Sequence, residues 1–137
     1  MGSLHLMVGR SGEAYAQQRF EAMGYKVTIP PPRSKRGDLV VTNIETGQIL
    51  KVEVKTSMEG VGRKWKVCLN KGKHTFVGHA DLVVIQLVIR TGRVVSFFIP
   101  SEILLNKNTL TWRNPETPNS KWAQYRREDY RIFGGVV

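Results

Sequence analysis

A single cysteine, Cys68, stands in 137 residues, which excludes an intramolecular disulfide and any thiol-rich metal site and suits a reducing compartment. Its expected place is the core, as a small apolar residue. Long hydrophobic runs are also missing. No stretch approaches the ~20 consecutive apolar residues of a membrane span, and the opening MGSLHLMVGR has no apolar run long enough for a secretory signal. The expectation is a soluble intracellular chain without a membrane segment. Histidines number three, and His74 and His79 lie five apart rather than at the i, i+4 spacing of a helical zinc site, so zinc is not expected. Acids are scarce as well: eleven Asp and Glu against 21 Lys and Arg leave a formal charge of +10. Such a field retains polyanions, which points to a nucleic-acid partner. Charge alone does not separate an enzyme from a non-catalytic binding module, so the few acids must decide.

The length suits one domain, residues 1–137, with a core over about 9–105 and a basic aromatic extension over 106–137. Ser11 to Tyr25 is rich in helix formers, with Ser11 as the expected N-cap and Gly24 at the end. Lys26 to Pro30 reads as a short strand, followed by the basic connection PPPRSKR. Gly37 to Ile44 and Gln48 to Thr56 read as a hairpin closed by Glu45-Thr46-Gly47. Lys64 to Leu69 suggests a further strand, and 70–80 fits a short helix. Asp81 to Ile89 and Arg93 to Ile99 form a second hairpin around Thr91-Gly92, with a short helix from Pro100 through Leu105. The segment KWAQYRREDYRIF is compatible with a C-terminal helix whose stripe Trp122, Tyr125, Asp129 and Phe133 packs on the sheet or on a partner subunit. The order of elements implies an α/β fold with a central mixed sheet flanked by helices.

The strand Gln48 to Thr56 alternates. Leu50, Val52 and Val54 point to one face, and Lys51, Glu53 and Lys55 to the other. A charged face is ordinarily the solvent side, but the hairpin changes its meaning. A tight loop at 45–47 pairs residues whose numbers sum to about 91 to 93, which sets Asp38 against Glu53 provided that the sum is odd. At ~4 Å and an effective dielectric of about 20, two such charges repel by roughly 4 kcal/mol, more than a surface pair contributes. A divalent cation relieves that cost; a salt bridge to Lys55 is the competing explanation. Glu13 shares a helical stripe with Ala16 and Phe20, either as a third functional acid or as an exposed acid favoured by the helix dipole. Carboxylate oxygens suit Mg²⁺, with Mn²⁺ as the expected substitute. An acid pair, a cation and a neighbouring lysine form a set suited to phosphodiester hydrolysis, with Lys55 orienting or deprotonating the attacking water and Ser34 and Lys35 touching the phosphate.

Asp38, fourteen intervening residues and then Glu53-Val54-Lys55 resemble the motif of the PD-(D/E)XK nuclease superfamily. Within it, RSKRGDLVV followed by LKVEVKTS, with Gly12-Glu13 on a preceding helix, is similar to the archaeal-type Holliday junction resolvases. Restriction and homing endonucleases share the core. The resemblance covers roughly residues 9 to 100 and implies a restriction-endonuclease-like fold. It places Glu13, Asp38 and Glu53 around the metal, makes Lys55 the catalytic lysine, and commonly entails a homodimer that makes paired cuts. Gly37 stands where the motif name has Pro. The segment after Lys55 and the aromatic tail do not follow the resolvase pattern, and substrate choice resides in such regions.

The expectation is thus a Mg²⁺-dependent DNA endonuclease, structure-specific or else site-specific, acting as a homodimer or tetramer. A non-catalytic nucleic-acid-binding module is the rival, but it gains nothing from acids facing each other beside its phosphate-binding surface. The candidate DNA contacts are Arg33, Ser34, Lys35 and Arg36 beside the acids, and Arg63, Lys64, Lys66, Lys71 and Lys73 further on. Trp65 and Phe76 interleave with that second group and are candidates for stacking on bases. Arg126, Arg127 and Arg131 extend the same basic surface.

Overall fold

In the computed structural model, residues 2–30, 38–60, 62, 64–69, 80–104, 107–117 and 121–133 are described, with side chains from residue 11 onward. Residues 70–79 of the expected short helix lie outside them. Helix α1 spans Gly2–Ala22, nine residues earlier than Ser11 suggested. A capping residue starts a helix only where the preceding residues cannot continue it, and LHLMV is helix-compatible throughout; Gly9 costs about 1 kcal/mol and is tolerated. Gly24, at φ +91°, ends the helix, with its amide on the Glu21 carbonyl at 2.9 Å.

Strands β1 (Lys26–Thr28), β2 (Leu39–Thr42), β3 (Ile49–Met58), β4 (Trp65–Cys68), β5 (Leu82–Val88), β6 (Val94–Pro100) and β7 (Thr109–Trp112) follow. A five-stranded sheet has the order β1-β2-β3-β5-β6, and β4 and β7 form a separate two-stranded sheet. The large sheet is mixed: β3 and β5 run parallel, and the other pairs are antiparallel. The expected α/β architecture with a mixed central sheet is therefore present. Its second face, however, is covered by the β4–β7 ribbon among the described residues.

Two cores result. On one face Ala16 and Phe20 of α1 pack on Leu39, Val41, Val52, Val54, Val84 and Phe98. On the other, Trp65, Val67, Leu110 and Trp112 of the ribbon pack on Val83, Ile85, Leu87, Phe97 and Ile99. Strand β5 is covered on both sides, which explains why DLVVIQLVI is apolar without alternation. The ribbon's strict alternation turns Cys68 outward, so the sole cysteine is exposed, not buried as its residue type suggested.

The C-terminal segment is not the long helix that its stripe suggested. After a short 3-10 helix at Ala123–Tyr125 the chain becomes extended at Arg126, which bridges Phe97 of β6. The Arg127 amide then donates to the Ser96 carbonyl at 3.0 Å. Trp122 joins the ribbon-side core, while Tyr130 and Phe133 join the helix-side core. One helix cannot serve both faces of a sheet; a strap crossing the β6 edge can. No described helix is long and apolar enough to cross a membrane.

Candidate active site

The β2–β3 ladder pairs Leu39 with Val52, Val40 with Lys51, Val41 with Leu50 and Thr42 with Ile49. Every pair sums to 91, one of the two values that bring the acids together. Continuing it by one residue sets Asp38 across from Glu53, and the Asp38 amide still donates to the Val52 carbonyl at 3.0 Å. The regular ladder ends there. The next free donor on β3, the Val54 N–H, is taken by the Asp38 carboxylate at 2.8 Å.

Glu53 and Lys55 register with Val83 and Ile85, so they point to the ribbon side of the sheet. Lys55 Nζ lies 3.8 Å from Glu53 Oε1, with the two side chains 31% and 18% exposed. Burial pushes the Glu53 carboxyl up, the Asp38 charge pushes it further, Lys55 opposes both, and Glu13 adds repulsion, leaving it at about 7. Asp38 is also raised, chiefly by burial, against the Val54 hydrogen bond and Lys55. A hydrogen bond between the two carboxyls favours the proton on Glu53. Lys55 therefore does not discharge the pair, which weakens a purely structural salt bridge as the reason for the cluster.

Glu13 reaches this site from α1, and its place there corrects one reading of it. The helix begins far upstream, so Glu13 is not an acid of the first turn and does not serve the helix dipole. Gly12 explains its proximity. A Cβ at Gly12 would collide with Thr56 Oγ1, so the missing side chain lets α1 press onto β3.

Among the described residues, no three His, Cys, Asp or Glu side chains form a ready-made cation cage. The donor set nevertheless fits Mg²⁺, which takes one or two carboxylates and keeps several waters. Two carboxyls raised chiefly by burial, with the Asp38 charge adding to the rise at Glu53, are relieved by a divalent charge. Asp38 and Glu53 are the residues able to hold one, with the Glu13 charge acting on Glu53 from α1.

Of the candidate DNA contacts, Arg33, Ser34, Lys35, Arg36, Arg63, Lys71 and Lys73 lie outside the described residues, as do Phe76, His74 and His79. Lys64 and Lys66 are exposed. Trp65 is not available for stacking: it is 4% exposed, and its indole N–H donates to the Val88 carbonyl at 3.0 Å. Arg126 is engaged by Glu128 at 2.9 Å and Arg127 by the Arg131 carbonyl at 2.8 Å, so both serve the strap. Two features near the site escaped the sequence reading. Asp81 clips the start of β5 to β3 through the Lys51 amide at 2.9 Å, and Gln86 is buried at 1% exposure on β5. The only polar residue within the apolar run LVVIQLVI was the visible signal for Gln86.

The sequence matches no family model and no curated protein. The fold does have a counterpart. A bacterial homing endonuclease, I-Ssp6803I, superposes with a TM-score of 0.68 at 19% identity, over 88% of this chain and 86% of that one. The chain thus has an endonuclease-like fold, with its opposed acids at the open end of the β2–β3 ladder.

Proposed function

We propose that this chain is a metal-dependent DNA endonuclease that hydrolyses phosphodiester bonds, with Asp38 and Glu53 as cation-holding acids, Glu13 supporting them and Lys55 as the catalytic lysine. The observation that carries the reading is the direct opposition of Asp38 and Glu53, with Lys55 beside them and too weak to neutralise the pair. A Mg²⁺ ion bound there would polarise the phosphoryl oxygen and lower the pKa of a bound water. Lys55, on the same face as Glu53, orients the attacking water and balances charge building on the phosphorus. The two carboxyls exclude a phosphate while they are both charged and unmetallated, which couples substrate docking to metal loading.

For the substrate, the near full-length likeness to a homing endonuclease favours a site-specific duplex cutter. The RSKRGDLVV and LKVEVKTS motifs favour a structure-specific, junction-resolving activity. Two strands are cut most simply by two copies of one site, so a homodimer, or a tetramer for a long target, goes with either reading.

The test is incubation of wild type, Glu53→Ala and Lys55→Ala with linear duplex, flap, four-way junction and single-stranded DNA in Mg²⁺, Mn²⁺, Ca²⁺ or EDTA. Cleavage by wild type alone in Mg²⁺ or Mn²⁺ is expected, and the preferred substrate chooses between the two readings. Equal cleavage by wild type and Lys55→Ala would overturn the assignment of the lysine. Binding without cleavage of any substrate, including a genomic library, would return the chain to the binding-module class.

A further inference from the structure

The β4–β7 ribbon has one face that the core does not use. Its register pairs Trp65 with Trp112, Lys66 with Thr111, Val67 with Leu110 and Cys68 with Thr109. The tryptophans, Val67 and Leu110 are buried, while Lys66, Cys68, Thr109 and Thr111 are exposed. That outer face is free of acids and of large apolar groups. Among the described residues no ion pair or side-chain hydrogen bond engages the Lys66 ammonium or the two threonine hydroxyls.

The ribbon is also tied to the candidate active site. Ser57 shares a face with Glu53 and Lys55, and its hydroxyl donates to the Lys66 carbonyl at 3.0 Å. The ribbon therefore begins one side-chain step beyond Lys55, on the side to which the acids point. A two-stranded ribbon of four residues is marginal by itself, but this one is anchored by its two tryptophans, by the Trp65 indole on Val88 and by the Leu69 amide on the Asn108 carbonyl at 2.9 Å. Strands about 4.8 Å apart fit a DNA major groove about 12 Å wide. Ammonium, hydroxyl and methyl groups are the chemistry that reads base edges there: lysine to guanine O6 and N7, threonine to either polar edge or to the thymine methyl.

We propose that the outward face of the β4–β7 ribbon, Lys66 and Thr111 beside Cys68 and Thr109, enters the major groove of duplex DNA and reads bases a few steps from the bond held at Glu53 and Lys55. This rests on the endonuclease reading above and adds the recognition element to it. The net charge of +10, together with the absence of acids on this face, favours a polyanion over a protein partner.

The sole cysteine lies on that face, paired with Thr109 at one end of the ribbon, so the wild-type chain carries its own reporter. The experiment selects duplexes from a random-sequence pool on wild-type protein in Ca²⁺ at low salt. It then follows iodoacetamide alkylation of Cys68 with and without the selected duplex, and repeats the selection with Lys66→Ala. The expected results are at least a tenfold slowing of alkylation by the duplex and a loss of preference of roughly 5- to 100-fold at one or two adjacent base pairs in the variant, with the other positions kept. Unchanged alkylation in a duplex that anisotropy shows to be bound overturns the ribbon proposal and leaves the endonuclease reading intact. Uniform weakening on every sequence overturns base reading in favour of a phosphate contact. Failure of wild type to bind any duplex overturns the ribbon proposal, and failure to bind flap and four-way junction DNA as well overturns the endonuclease reading with it.

Discussion

The Asp38 carboxylate accepts the Val54 amide at 2.8 Å, standing in for a strand carbonyl where the ladder with β2 has stopped at Leu39 and Val52. The same side chain thus closes the sheet and faces Glu53. Its two roles separate by substitution. Asp38→Asn keeps an acceptor oxygen and removes the charge, so the Glu53 carboxyl is expected to fall below about 7 in a carbon-13 NMR titration. Asp38→Ala leaves the Val54 N–H without its partner, and urea denaturation is expected to find it about 1–2 kcal/mol less stable than the Asn variant. Equal stability of the two would mean that water satisfies the amide.

Glu53→Gln is expected to stabilise the fold at neutral pH while abolishing cleavage. The folded chain keeps the Glu53 proton up to about 7, whereas the ordinary value is 4.5. Raising the pH through that window therefore favours the unfolded chain, which releases the proton first. The wild type loses on the order of 2–3 kcal/mol between those limits. Thermal melts at pH 8 are expected to place the variant roughly 5–10 °C higher, with the gap closing below pH 4.5, where Glu53 is protonated in both states.

Divalent cations are expected to act in the opposite sense. Ca²⁺, which suits the acids without supporting turnover, binds the deprotonated pair, so its affinity falls as the pH drops below about 7. At a hundredfold excess over Kd the wild type gains about 2.7 kcal/mol, read as a higher Tm at pH 8 and a smaller rise at pH 6. Glu53→Gln is expected to lose most of that response. An identical rise in both proteins would move the cation elsewhere.

Gly12→Ala tests how α1 is held. The new methyl meets the Thr56 side chain, its Cβ as well as its Oγ1, so the helix must back away from β3. The expected cost is about 1–3 kcal/mol, and Thr56→Ala in the same chain recovers only part of it because the Thr56 Cβ remains at 2.8 Å. Since Glu13 moves with its neighbour, cleavage is expected to fall by more than the stability loss explains. A double-mutant cycle with activity measured on folded protein separates the two effects.

The acid pair was legible because a local feature encodes it. The short loop after Asn43, with Gly47 at φ +78°, leaves few registers, and the alternation of KVEVK chooses the face. The helix start was not legible, since a good capping residue such as Ser11 says nothing about whether the preceding turn also prefers to be helical. The ribbon was half legible: WKVC alternates, and so does TLTW. Their pairing, however, joins residues 65–68 to 109–112 with no short loop to announce it. The tail misled because Trp122, Tyr125 and Phe133 match a helical stripe by coincidence, while burial needs them on opposite sides of the sheet.

The strap that crosses β6 has a consequence for how copies of this chain meet. Sheets grow by adding strands at their edges, and here one edge already carries Arg126 and the Arg127 amide. The other is β1, three residues long, with Lys26 and Thr28 exposed. A second copy that added itself strand to strand at β1 would bring its own strapped edge to the far side. Such growth stops at two, so copies of this chain can pair without polymerising through the sheet.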